Sequence, residues 1–255
     1  MLKINNYSNY ILEDISFKIE KKNLIILGSN GAGKTTLAKV LSGLIETTHI
    51  NIGNILLSNI SYEERVSLIN YTPPKLEIFD EYISVEEFLS LSKIYDRHHI
   101  QEVLQKLQIE HLKTKNCKRL SSGESQLVLL ASAMLHNAKY TILDEPTSNL
   151  DPQKLKNVFE LLSSEETMQH KIIITHNLNL AYKLGFDIVF IKDGNIYFNG
   201  NSEEFFTQKN LDKIYDNTVK KIDNNIVVDI WNTFLFSSLF VLFSQLHFMV
   251  KLIFL

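Results

Sequence analysis

The chain has 255 residues, 45% hydrophobic and 22% charged, with 26 basic against 29 acidic side chains for a formal net charge of -3. At about 150 residues per domain this makes one large domain or two small ones, which excludes a disordered tail protein and a disulfide-stapled mini-domain. Near-balanced charge gives no support to a nucleic-acid partner or to direct binding of anionic lipid, and a mean hydropathy of -0.03 excludes a multi-spanning membrane protein while leaving room for one spanning helix.

The opening Met1-Leu2-Lys3-Ile4-Asn5-Asn6 lacks the basic and then apolar pattern of a signal peptide, so the chain is expected to begin in the cytosol. The single Cys117 cannot form an internal bridge, which fits a reducing compartment. Residues 11 to 27 read as strand, turn and strand. Ile15, Phe17 and Ile19 stand at period-two spacing, and the unbroken Leu24-Ile25-Ile26-Leu27 suits a strand buried on both faces. A glycine-rich segment and then a helical spacing from Thr36 to Leu41 follow, and strand, glycine loop and helix is the opening unit of a parallel α/β domain. From about 84 to 112 the apolar repeats Val85, Phe88, Leu89 and Val103, Leu104, Leu107 predict helices, with Ser84 and Glu87 spaced for a capping box. Tyr140 to Leu143 and Ile172 to Thr175 predict two more buried strands, and Ile188 to Phe198 predicts a hairpin turning at Asp193-Gly194.

Gly28-Ser29-Asn30-Gly31-Ala32-Gly33-Lys34-Thr35 fits G-x-x-x-x-G-K-[ST], with a strand before it and a helix after it. Glycines let successive amide N-H groups point inward, and the helix N-terminus adds partial positive charge, which together make a cradle for α- and β-phosphates. Lys34 would reach the β- and γ-phosphates, and the Thr35 hydroxyl is placed to ligate Mg²⁺. Such a site needs a carboxylate at the end of a neighbouring strand. Asp144 after Ile142-Leu143 supplies one for Mg²⁺, and Glu145 could polarise an attacking water if the strand end turns it to the γ-phosphate side.

Further along, Leu120-Ser121-Ser122-Gly123-Glu124-Ser125-Gln126 precedes Leu143-Asp144-Glu145-Pro146-Thr147 by about twenty residues; Ser148-Asn149-Leu150-Asp151 follows, and His176 ends the strand from Ile172. With the phosphate loop, these motifs resemble in order and spacing those of the ATP-binding cassette (ABC) ATPases, nearest in look to the importers of iron-siderophore, haem or cobalamin type. The resemblance covers about residues 1–206. It implies a P-loop α/β fold with a RecA-like parallel-sheet core, an antiparallel β subdomain and a helical subdomain at about 75–135. Residues 207–229 would then be a polar connection, and 230–255 a hydrophobic C-terminal helix.

The resemblance also implies ATP and Mg²⁺ as cofactors, with Ser29, Asn30, Gly31, Ala32, Gly33, Lys34, Thr35 and Thr36 around the phosphates and Thr35 and Asp144 on the metal. Glu145 and His176 would be catalytic. Two chains would sandwich ATP head to tail, so that Ser121, Ser122, Gly123, Glu124 and Asp151 act on nucleotide held by the partner. An aromatic residue near the N-terminus would stack on adenine; Tyr7 and Tyr10 are the candidates, and Tyr7 is favoured. Separate integral membrane permease subunits are implied, with a solute-binding protein if the system imports, at the cytoplasmic face of the membrane and without nucleic acid. An exporter's energy module and a soluble nucleotide-switched binding protein are the alternatives.

Three departures bear on turnover. Tyr71-Thr72-Pro73-Pro74 puts Pro74 where the family has a glutamine, and proline offers neither side-chain oxygen nor N-H. Ser122 replaces a glycine, and Leu127 stands where a basic residue is common. Between positions 230 and 250 there is no charged residue. As a helix rising about 1.5 Å per residue, the tail is long enough to cross a hydrocarbon core of about 30 Å. It reads as a membrane anchor, as a helix packed on the domain or a partner, or as a non-native extension.

Overall fold

The first two strands, β1 (Leu2–Tyr7) and β2 (Ile15–Ile19), turn Leu2, Ile4, Ile15, Phe17 and Ile19 inward, as strand alternation dictates. A computed structural model describes residues 1–19, 23–92 and 97–229. β3 (Leu24–Gly28), buried at every position, runs into α1 (Lys34–Leu41). β4 (Ile50–Ile52) and β5 (Ile55–Leu56) then complete an antiparallel sheet of order β2-β1-β4-β5.

After α2 (Tyr62–Leu68) and β6 (Ile69–Thr72) comes the helical stretch of α3 (Val85–Ser90), α4 (Arg97–Lys106) and α5 (Ser122–His136). Ser84 and Glu87 form the expected capping box of α3. The chain continues through β7 (Tyr140–Asp144), α6 (Pro152–Ser163), β8 (His170–Ile174) and α7 (Leu178–Leu184) to the hairpin of β9 (Asp187–Lys192) and β10 (Asn195–Gly200). The second sheet has the order β10-β9-β3-β8-β7-β6, parallel throughout except for β10. One apolar cluster joins Leu2, Ile4 and Phe17 of the first sheet to Ile26, Ile142 and Ile174 of the second and to Leu37 and Leu41 of α1.

Register sets what lies at the carboxyl edge of the parallel sheet. Ile26 is level with Ile174, Ile174 with Asp144, and Thr72 with Leu143. The phosphate loop, Asp144-Glu145, Thr175-His176 and Pro73-Pro74 therefore all emerge at one edge, where open parallel sheets bind ligands.

The chain divides into two units, Met1–Ser202 and a second beginning at Glu203, within α8 (Ser202–Phe205). The second unit holds α9 (Gln208–Tyr215) and a hairpin of β11 (Val219–Ile222) and β12 (Asn225–Val228). Residues 207–229, read from sequence as a polar connection, are thus folded. Gln208 ties the helix to the hairpin, its amide donating to the Val219 carbonyl at 3.1 Å and its oxygen accepting from Lys221 N-H at 3.1 Å. No helix among the described residues is long and apolar enough to cross a membrane. The hydrophobic helix expected at 230–255 lies outside the described residues.

Candidate functional site

The loop between β3 and α1 turns back on itself through left-handed glycines. Gly33 caps α1 with φ of 99°, and a Cβ there would meet Leu12 Cδ2 at 2.6 Å, so both conformation and space demand glycine. Lys34 is 8% exposed, and its ammonium donates to the Gly28 carbonyl at 2.9 Å and the Ser29 carbonyl at 2.8 Å. Burial lowers its pKa, and the Glu145 and Asp144 carboxylates act against that shift. Asn30, Gly31, Gly33, Lys34, Thr35 and Thr36 line a cleft of about 320 Å³ together with Ile11, Pro74, Asp144 and Glu145. Ser29 supplies the carbonyl that accepts from Lys34 and from Ala32 N-H, and Ala32 is buried.

Asp144 is 2% exposed at the end of β7. Burial pushes its carboxyl upward, opposed by hydrogen bonds from Thr35 and Tyr71 and by the Lys34 charge. The Thr35 hydroxyl donates to Asp144 Oδ2 at 2.8 Å, and the Tyr71 hydroxyl donates to the same oxygen at 3.2 Å. This pair fits Mg²⁺: a hydroxyl and a buried carboxylate in need of positive charge are the hard oxygen donors that ion takes.

Glu145 has φ of 52°, a left-handed conformation that costs about 1–2 kcal/mol for a residue with a Cβ. Its N-H donates to the Ile174 carbonyl at 2.9 Å, which holds the turn. The turn places both consecutive carboxylates on one cleft, although strand neighbours normally point to opposite faces. Glu145 Oε1 accepts from His176 Nδ1 at 2.8 Å, and Oε2 accepts from the Thr175 hydroxyl at 3.3 Å. An ionised carboxylate only accepts, so this contact puts the hydrogen on Nδ1 of the exposed imidazole.

One sequence expectation changes here. Tyr7, favoured as the base-stacking residue, is the last residue of β1 and only 6% exposed. Its hydroxyl accepts from the Asn9 amide at 3.1 Å and its ring meets His49 edge on, so it has no free face to offer a base. The alternative, Tyr10, is 91% exposed and adjoins Ile11, which lines the cleft. Asn9 shapes that segment, its Oδ1 accepting from the N-H groups of Ile11 and Leu12. Pro74 does line the cleft, and the polar reach from this strand comes from Tyr71, which sequence reading used only to set the register.

Ser121, Ser122, Gly123, Glu124 and Asp151 are not among the residues lining the cleft. Ser121 caps α5, the next helix turn beginning with Ser122, in a capping box with Glu124. Its Oγ accepts from Glu124 N-H at 3.3 Å, and its own N-H donates to Glu124 Oε2 at 2.7 Å. Glu124 is clamped by Lys115, whose ammonium donates to its two oxygens at 2.9 and 2.8 Å. Lys115 chiefly, aided by Ser121, holds its carboxyl down at about 2. A Cβ on Gly123 would come within 2.8 Å of the Asn149 carbonyl, so glycine lets α5 approach the segment after β7. Asp151 caps α6, accepting from Lys154 N-H at 2.9 Å. The Lys115 clamp was missed because nothing in linear spacing marks a lysine nine residues before its partner.

The family model described as ABC transporter matches residues 12–148. A Helicobacter pylori protein named "Probable iron chelatin transport ATP-binding protein" is 31% identical over 252 residues, covering 89% of this chain and 98% of its own length. The zinc import ATP-binding protein ZnuC of Wigglesworthia glossinidia brevipalpis is 37% identical over 176 residues, 67% of this chain and 72% of its own. Among solved structures, cbiO1 from Clostridium perfringens, part of the ABC transporter complex cbiONQ, has a TM-score of 0.65 and 28% identity, covering 83% of this chain and 92% of that one.

Proposed function

The chain belongs to the ABC transporter family, and from that premise we propose that it binds and hydrolyses ATP as the energy-supplying subunit of an importer whose translocation path is formed by separate permease subunits. The observation that carries this is the assembly of Lys34, Thr35, Asp144 and Glu145 on one cleft at the sheet edge. Lys34 leaves the loop carbonyls for the β- and γ-phosphates, and the loop amides and the start of α1 take the remaining charge. Thr35 and Asp144 would hold Mg²⁺, which would supply positive charge to neutralise the phosphates.

Glu145 takes a proton from water as the water oxygen bonds to the γ-phosphorus, and the bond to the bridging oxygen breaks with its electron pair leaving on ADP. His176 positions Glu145 through its Nδ1 hydrogen and stabilises developing charge on the γ-phosphate. Tyr10, with its free ring beside Ile11, is the base-stacking residue. Ser121 and the Gly123 amide meet the γ-phosphate of nucleotide held by a second copy; support comes from their place at the start of α5, outside this chain's own cleft. Asp151, Ser122 and Glu124 shape that partner-facing edge.

The cargo proposed is an iron complex or cobalamin, captured by a solute-binding protein and moved by permease subunits that bring this subunit to the cytoplasmic face. Support comes from the relative named for iron chelatin transport, which matches over 98% of its own length. The relative named for zinc import also favours import over export. Membrane attachment through 230–255 rests on the charge-free run between positions 230 and 250. The site is tested by Glu145→Gln. Hydrolysis should fall by about a hundredfold or more, as for a lost general base, while ATP and Mg²⁺ drive the variant into a dimer on size exclusion. A variant still monomeric at saturating ATP would refute the sandwich.

A further inference from the structure

We propose that Tyr71 is a positioning residue for the metal site: its hydroxyl fixes the Asp144 carboxylate in the orientation from which Asp144 and Thr35 together hold Mg²⁺. This rests on the reading above that Thr35 and Asp144 take the metal.

The geometry starts from strand register. β6 pairs in parallel with β7, with Tyr71 level with Ile142, two residues short of Asp144. An ordinary side chain at that level would fall short of the strand end, whereas a tyrosine reaches it, and its hydroxyl lies 3.2 Å from Asp144 Oδ2. Thr35, arriving from α1 on the far side of the sequence, donates to the same oxygen at 2.8 Å. Two donors from two different elements therefore converge on Oδ2. Turning the carboxylate would break both bonds at once, and it leaves Oδ1 as the oxygen free to face a cation or one of its waters.

Burial makes this restraint matter. With Asp144 only 2% exposed, bulk water cannot easily replace a lost donor. The strand's exit offers no substitute either, since Pro74 lines the cleft and has neither a side-chain donor nor an N-H. Tyr71 is half-buried, and its ring also lines the neighbouring cleft formed with Thr35, Pro73 and Pro74. Its hydroxyl can therefore be removed without emptying the space that its ring fills.

Outer partners of metal ligands act by orienting them, and their loss typically weakens metal affinity about 10–100-fold. The test compares the full-length wild-type chain with Tyr71→Phe and Asp144→Asn. ADP binding is measured in EDTA, and Mn²⁺ binding to the ADP complex is followed by electron paramagnetic resonance, so that no turnover is required. Tyr71→Phe should keep ADP affinity in EDTA within about twofold of wild type while weakening Mn²⁺ by about tenfold or more.

Unchanged Mn²⁺ affinity in Tyr71→Phe, with Asp144→Asn weakened, would overturn the role of Tyr71 and leave the metal site standing. Equal loss of ADP and Mn²⁺ binding in Tyr71→Phe would also overturn it, because that is the signature of a general packing role. Unchanged Mn²⁺ affinity in Asp144→Asn would overturn the underlying metal assignment.

Discussion

Lys34 shows how a single residue answers to two environments. Its ammonium is buried against the Gly28 and Ser29 carbonyls, and desolvation lowers its pKa while two carboxylates favour its charge. Nucleotide phosphates are stronger acceptors than these carbonyls, so the same charge is drawn to them on binding. Lys34→Ala should raise the ATP dissociation constant by about tenfold or more, the scale of a lost charged hydrogen bond, as read by calorimetry on a variant whose thermal midpoint is checked alongside. At this scale the sequence was legible where chemistry demands fixed spacing: Lys34, Thr35, Asp144 and Glu145 all line one cleft. It misled at Tyr7, because an aromatic residue at a strand end reads the same whether it is exposed or packed, and only the paired strands bury this one.

Elements carry the next part of the argument through their ends. α3, α5 and α6 begin with side-chain caps at Ser84, Ser121 and Asp151; the capping box of α3 was read from its Ser-x-x-Glu spacing, and the structure adds a second box at Ser121 and Glu124. Hidden from the sequence was the Lys115 clamp on Glu124, which ties the start of α5 to the segment before it. Because Lys115 first and Ser121 next hold the Glu124 carboxyl down from 4.5 to about 2, folding is favoured with Glu124 ionised. The linked stability is therefore fully present above pH 4.5 and lost as pH falls toward about 2. Melting curves of Lys115→Met should lie below wild type at neutral pH and converge with it across that window. A constant gap through the window would show that the pair contributes through packing instead.

For the whole molecule, the cleft lies within Met1–Ser202, the first of two separately compact units. A chain ending at Asp229 should therefore bind ATP with wild-type affinity, while co-sedimentation with phospholipid vesicles, if it depends on 230–255, should be lost. Retained sedimentation would assign membrane contact elsewhere. The sequence by itself determined the parallel α/β class, the phosphate loop, the strand-end carboxylates and the family likeness, because each is written in local spacing and in apolar runs whose period needs no partner. Tertiary structure alone decided that Glu145 turns through a left-handed conformation onto the cleft, that Tyr7 is buried while Tyr10 is free, and that Tyr71 and Thr35 meet on one oxygen of Asp144. Those outcomes depend on which strands lie side by side and in what register, and such long-range pairing brings together residues that the linear chain keeps apart.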